Sequence, residues 1–251
     1  VDVYERASHR LRGRGAGLRI QPLMAETLRR EAGIDLSPAS TYTRFDRHIG
    51  PGNRVVYEAE EIGHFVSWAS LYGFLLDRVG AARCHFGEAC VGSTEADGEV
   101  AVRFASGRDA RVDLLVFADG IGSTGRRRLL PDLEPTYAGY VAWRGLVPDG
   151  ALSADTRRVL ADACTFTVAG LSHMPIYPVP GDAGEILWNT IWYRNVAEGA
   201  ALDELMTDRD GTHRPWSLPA GSVQQRYVDA LRRDAMAELP PAAAEVMVKA
   251  E

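Results

Sequence analysis

The chain has 251 residues, enough to bury the core of one large domain or two smaller ones. Its net charge of −6, with 46% hydrophobic and 25% charged residues, is ordinary for a globular protein and argues against general nucleic-acid binding, which needs a basic face. No apolar run reaches the ~18 residues of a membrane span, so no membrane partner is expected. Cys84, Cys90 and Cys164 lack metal-ligand spacing and read as small buried side chains in a reducing, cytoplasmic setting, with no metal site.

Val1 to Glu5 alternates apolar and polar residues as a strand does, so the chain reads as opening inside a strand, with sequence expected upstream of it. A glycine-rich stretch, Gly13-Arg14-Gly15-Ala16-Gly17, follows, where the backbone can turn sharply or approach a ligand. Pro22 suits a first helical turn, Leu23, Thr27, Leu28 and Ala32 form a helical stripe, and Gly33 is a stop. Thr41 to Tyr57 is strand-like, broken by the turn Gly50-Pro51-Gly52-Asn53. His64 to Val79 reads as a helix with Phe65, Trp68, Leu71, Leu75 and Val79 on one face.

Ala89 to Thr94 and Val100 to Phe104 are strands around the turn Asp97-Gly98. Arg111 to Phe117 carries a continuous apolar run, the pattern of a strand buried on both faces of a parallel sheet. Beyond Tyr137 the character changes. Tyr140 to Val147, Thr165 to Leu171, Met174 to Val179 and Ile186 to Tyr193 read as antiparallel strands. Leu202 to Thr207 is a short helix, and Val223 to Leu239 is an amphipathic helix stopped by Pro240-Pro241. The fold class is therefore α/β: a Rossmann-like dinucleotide-binding unit with an antiparallel-sheet lobe. The expected boundaries are 1–135 for the first, with 41–62 lending strands to the lobe, 136–222 for the lobe, and 223–251 for a helix returning to the first.

Two constellations carry chemistry. Glu5 ends the opening strand, where a dinucleotide-binding βαβ unit places the acid that accepts from ribose hydroxyls, about 20 residues after its glycine fingerprint. A solvated glutamate is the competing reading. The second is Asp119-Gly120-x-x-Ser123-x-x-Arg126, an apolar run feeding a turn and a helix. A strand delivers such a carboxylate to the edge of the sheet where ligands bind. Asp119 can accept from a polyol, Gly120 lets the chain turn close to a cofactor, and Ser123 caps the helix. Arg126 suits either Asp119 or a phosphate. A capped helix without a ligand explains the same residues.

Taken together, these residues resemble the group A flavoprotein monooxygenases. The Asp119 to Arg126 motif is similar to the Asp-Gly motif of that family, and Val1 to Arg6 to its second strand, with Glu5 as the ribose acid. Gly15-Ala16-Gly17 with Gln21-Pro22 resembles the segment along the isoalloxazine ring. Glu134 to Gly145, Ile176 to Gly181 and Asn195 to Asp208 are similar to the family members that hydroxylate hydroxypyridines. The family's N-terminal glycine fingerprint and its later Gly-Asp motif are not in the chain, so the FAD-binding domain is expected to be incomplete. Where the family often carries an arginine, Ser67-Trp68 stands here.

The resemblance implies FAD held by Glu5, Arg6, Gly15, Ala16, Gly17, Asp119, Gly120, Ser123 and Arg126, with NADH or NADPH as co-substrate. It also implies O2 activation through a flavin C4a-hydroperoxide that attacks an electron-rich ring such as a dihydroxypyridine. No catalytic nucleophile is assigned. His173 and Tyr177, on one strand of the lobe, are candidates for hydrogen bonding or proton transfer to ring hydroxyls. Tyr193 is a third candidate, since Trp192 and Tyr193 alternate and only one of them faces a cavity. Trp143 and Arg144 alternate likewise, and Arg144 reads as solvated. Many family members form homodimers, but no stretch here marks an interface. The alternative to an enzyme is a non-catalytic fragment or a binding module that holds no FAD.

Overall fold

The structure, a computed structural model, describes residues 1–11, 17–170 and 172–251. It divides into two compact units, Val1–Arg14 with Tyr72–Thr136, and Gly15–Leu71 with Tyr137–Glu251. Residues 17–71 and 223–251 group with the sheet lobe.

In the first unit, strand β1 (Val3–Glu5) pairs in parallel with β5 (Cys84–Phe86). Strands β6 (Cys90–Ala96), β7 (Glu99–Phe104) and β8 (Asp109–Val112) form an antiparallel meander. Its first turn is Asp97-Gly98, with φ of 54° and 78°. Both central residues are thus left-handed, as a tight hairpin matching the strand twist requires. The expected strand at 111–117 is corrected: β8 ends at Val112, and Leu114 to Phe117 lie outside any ladder. Leu114 and Val116 are 77% and 73% exposed. An apolar run becomes a strand only when neighbours take its N–H and C=O groups, and none of the described strands is placed to do so.

The second unit is built on a seven-stranded sheet. Its strands are β2 (Gly17–Arg19), β3 (Ser40–Gly50), β4 (Arg54–Ser67), β9 (Tyr140–Pro148), β10 (Ala163–Ala169), β11 (Ser172–Pro180) and β12 (Ile186–Asn195), in the order β2-β4-β3-β10-β11-β12-β9. All neighbours are antiparallel except β3 and β10. Helix α1 (Pro22–Ala32) starts on Pro22 and stops at Gly33, whose φ of 63° needs no Cβ. The helix expected from His64 begins later, as α2 (Trp68–Val79). His64 to Ser67 instead continue β4 between β2 and β3, with Phe65 and Val66 fully buried. Ser67 Oγ then accepts from the Ser70 amide, a capping bond that starts the helix.

One face of this sheet holds the main core. Met174, Ile176, Trp188, Trp192 and Val147 pack against Leu231, Ala235, Ala243 and Val246. These last four lie on α6 (Gln225–Glu238) and α7 (Pro241–Lys249). The short helices α3 (Thr124–Leu129), α4 (Ala154–Leu160) and α5 (Ala200–Leu205) complete the chain. Helices α4 and α7 have no counterpart in the sequence expectations. Helix α7 begins one residue after the Pro240 that closes α6, because a proline at the first helical position loses no hydrogen bond.

Candidate functional site

In the first unit Glu5 stands at the carboxyl end of β1, beside its parallel partner. Its Oε1 accepts from the Ala7 amide at 2.8 Å. Oε2 has no partner among the described residues, so an acceptor is left free at the carboxyl end of β1. Arg6 is exposed beside it. Asp119 is held by the start of α3: Oδ2 accepts from the Thr124 amide at 2.7 Å and the Gly125 amide at 3.4 Å. Partial burial pushes its carboxyl up, but the bonds from Ser123, Thr124 and Gly125 together outweigh that and hold it below the usual range.

Ser123 Oγ accepts from the Arg126 amide at 2.9 Å, the expected cap. Gly120 has φ of +74° and open space where a Cβ would stand. Arg126 makes no ion pair with Asp119. Its Nη2 donates to the Ile121 carbonyl, while Nε is buried without a partner. The free Glu5 oxygen, the open backbone at Gly120 and the orphaned Arg126 donor suit a ligand with hydroxyls and phosphates.

In the second unit the sheet curls. Strands β2 and β12 are separated by four others in the sheet order, yet Asn189 Oδ1 on β12 accepts from the Gly17 amide at 3.0 Å. Tyr177 on β11 donates its hydroxyl to the Gly17 carbonyl at 2.8 Å. Burial pushes the Tyr177 phenol up to about 12, and its ring stacks on Phe65 at 4.6 Å. That hydroxyl proton is thus committed to backbone, a different place from the substrate contact expected of it. Gly15 and Ala16 lie outside the described residues.

The face opposite the helices carries His173, whose exposed imidazole stacks on Tyr193 at 4.6 Å. Tyr140 meets Tyr193 edge-on at 5.6 Å. Alternation along β12 sends Trp192 the other way: it is fully buried and its Nε1 donates to Ser172 Oγ. Arg144, opposite Ile191 in the ladder, is exposed and near enough for its charge to act on Tyr177. Sequence reading passed over Asn189 and set Arg144 aside. The available signal for Asn189 was an amide inside an apolar, β-branched and aromatic run, where a buried polar group needs a partner.

Two other groups are accounted for structurally. Burial pushes the Cys164 thiol up to about 12, so it is no nucleophile. Ser40 Oγ lies 2.6 Å from His64 Nε2, but its proton goes to the Leu36 carbonyl. His64 Nε2 therefore donates to Ser40 and does not take its proton.

The chain matches a family model described as FAD binding domain-like over residues 137–251. It is 37% identical to 2,6-dihydroxypyridine 3-monooxygenase of Paenarthrobacter nicotinovorans over 227 residues, 89% of this chain and 56% of that protein. It is 27% identical to 6-hydroxynicotinate 3-monooxygenase of Pseudomonas fluorescens over 202 residues, 76% of this chain and 52% of that one. The structure of 2,6-dihydroxypyridine-3-hydroxylase from Arthrobacter nicotinovorans superposes with a TM-score of 0.92 at 32% identity, covering 100% of this chain and 64% of the other. The chain thus spans a little over half the length of the curated relatives it matches. By sequence and by fold the chain is similar to these monooxygenases, and over residues 137–251 to the FAD binding domain-like family.

Proposed function

We propose that this chain is part of an FAD-dependent monooxygenase that hydroxylates an electron-rich aromatic ring of the hydroxypyridine class, with O2 and NADH or NADPH. The observation that carries the reading is the stack of the exposed His173 on the half-buried Tyr193, on the sheet face opposite the helices. It presents an imidazole, two phenols and the Arg144 guanidinium on that face. Such a surface suits a flat ring that bears ionisable hydroxyls.

Each side chain then has a task. His173 accepts the proton of a ring hydroxyl, which raises the electron density of the ring. Arg144 pairs with the oxyanion so formed. Tyr193 holds His173 in plane through the stack. In the first unit, the free Glu5 oxygen accepts from a ribose, while Asp119, Gly120, Ser123 and Arg126 form a turn that meets the polar part of the cofactor. Bound FAD supplies hydride acceptance from reduced nicotinamide and activation of O2.

The test is an absorbance spectrum after incubation with excess FAD and desalting, followed by titration with 2,6-dihydroxypyridine. Retained bands near ~450 nm, perturbed by the pyridine in the parent chain and unperturbed in His173→Ala, are the expected result. A flavin-loaded chain whose spectrum ignores the pyridine would sink the substrate assignment. A colourless chain would favour the cofactor-free binding module.

A further inference from the structure

Both backbone polar groups of Gly17 point away from β4 and are taken by side chains from the far side of the curled sheet. Asn189 accepts its N–H at 3.0 Å and Tyr177 donates to its C=O at 2.8 Å, both bonds buried. Asn189 is 1% exposed, and its Nδ2 has no partner. An unpaired amide donor is costly to bury, so retaining Asn189 at this position calls for a return elsewhere. Among the described residues its side chain bonds to Gly17 alone.

Packing makes the contact specific to glycine. A Cβ at residue 17 would stand 2.3 Å from Val179 Cγ1 and 2.6 Å from Tyr177 Cε2. The aromatic ring that supplies the hydroxyl therefore also fills the space of a side chain. Phe65, stacked on the other side of Tyr177, fixes that ring in turn. An edge strand of three residues, β2, is thereby tied to β11 and β12 as well as to its ladder neighbour.

We propose that Asn189 and Tyr177 are positioning residues that pin the Gly17 backbone, and with it strand β2, to the curled sheet. The proposal rests on the flavoenzyme reading only for what the pinned segment serves, namely the placing of its backbone beside the flavin ring. The pin itself stands on the two bonds and the packing. It deepens the site by assigning the sheet lobe a part in holding the cofactor segment as well as the substrate.

The experiment compares the parent chain with Asn189→Leu, Tyr177→Phe and Asn189→Asp. The first two remove one bond each at nearly constant volume, and the third keeps an acceptor oxygen. Trypsin cleavage after Arg19, the last residue of β2, reports local opening of that strand without needing FAD. Thermal midpoints confirm that the variants fold, and FAD affinity is read by quenching of flavin fluorescence. Cleavage should accelerate about fivefold in Asn189→Leu and Tyr177→Phe, the factor that one net hydrogen bond of about 1 kcal/mol corresponds to. It should return toward the parent rate in Asn189→Asp, and FAD affinity should follow the same order.

Unchanged cleavage in the two bond-deleting variants overturns the pin. Faster cleavage with unaltered FAD affinity overturns its link to the cofactor. Faster cleavage in a chain whose parent form takes no FAD supports the pin and defeats the flavoenzyme reading, so the two failures are told apart.

Discussion

At the scale of single residues, Glu245 joins two helices of the second unit. Its carboxylate accepts from the Ser153 amide at 2.8 Å and from Ser153 Oγ at 2.6 Å, from Thr156 Oγ1, and from Lys249 Nζ at 2.7 Å. Partial burial pushes the carboxyl up, but the bonds from Lys249, Ser153 and Thr156 outweigh it and bring the group from 4.5 to about 2. A folded-state value below the unfolded one means stability that is present above pH 4.5 and lost as pH falls toward 2. Allowing for solvent screening of a side chain 19% exposed, the contribution is on the order of 2 kcal/mol. Glu245→Gln should therefore unfold more readily than the parent at pH 7 in urea, and the gap should close as the pH approaches 2. A gap that persists unchanged to that pH would show that ionisation of Glu245 contributes nothing.

At the scale of elements, the Asp119 turn depends on how α3 sits. A Cβ at Gly125 would lie 2.1 Å from Phe117 Cγ and 2.5 Å from Cδ2, so the helix packs on Phe117 through a glycine. Gly125→Ala would raise helix propensity by about 1 kcal/mol. Overpacking of this kind costs about 1–3 kcal/mol. The clash should win, since the Phe117 Cβ is itself only 2.6 Å from the added atom and cannot rotate away. The expected result is a lower urea midpoint together with weaker FAD retention, because the amides that hold Asp119 belong to this helix. A variant more stable than the parent would mean that α3 shifts freely.

At the scale of the molecule, the first unit leaves apolar surface and strand edges unsatisfied among the described residues. Strand β1 has the single neighbour β5, and Leu114 and Val116 are 77% and 73% exposed. Unpaired edges and exposed apolar side chains each recruit other chains. The protein should therefore self-associate as concentration rises, and Leu114→Lys with Val116→Lys should reduce this in sedimentation velocity. A parent chain that stays a monodisperse monomer at high concentration would count against the idea.

Local chemistry made much of this legible from residues alone. Strands β9 to β12 follow from two-residue alternation and from the proline and glycine turns between them. The capped turn at Asp119 follows from the spacing of Ser123, and the end of α1 from Gly33. What escaped was set by partners far along the chain. Phe65 and Val66 satisfy a helical stripe as well as a strand, and pairing with both β2 and β3 chose the strand. The run after Val112 has strand composition, but no described neighbour takes its backbone groups. Tyr177 and Asn189 reach Gly17 across 160 and 172 residues of sequence. Periodicity reports which face a side chain takes, whereas a hydrogen bond across a curled sheet depends on where seven strands come together in space.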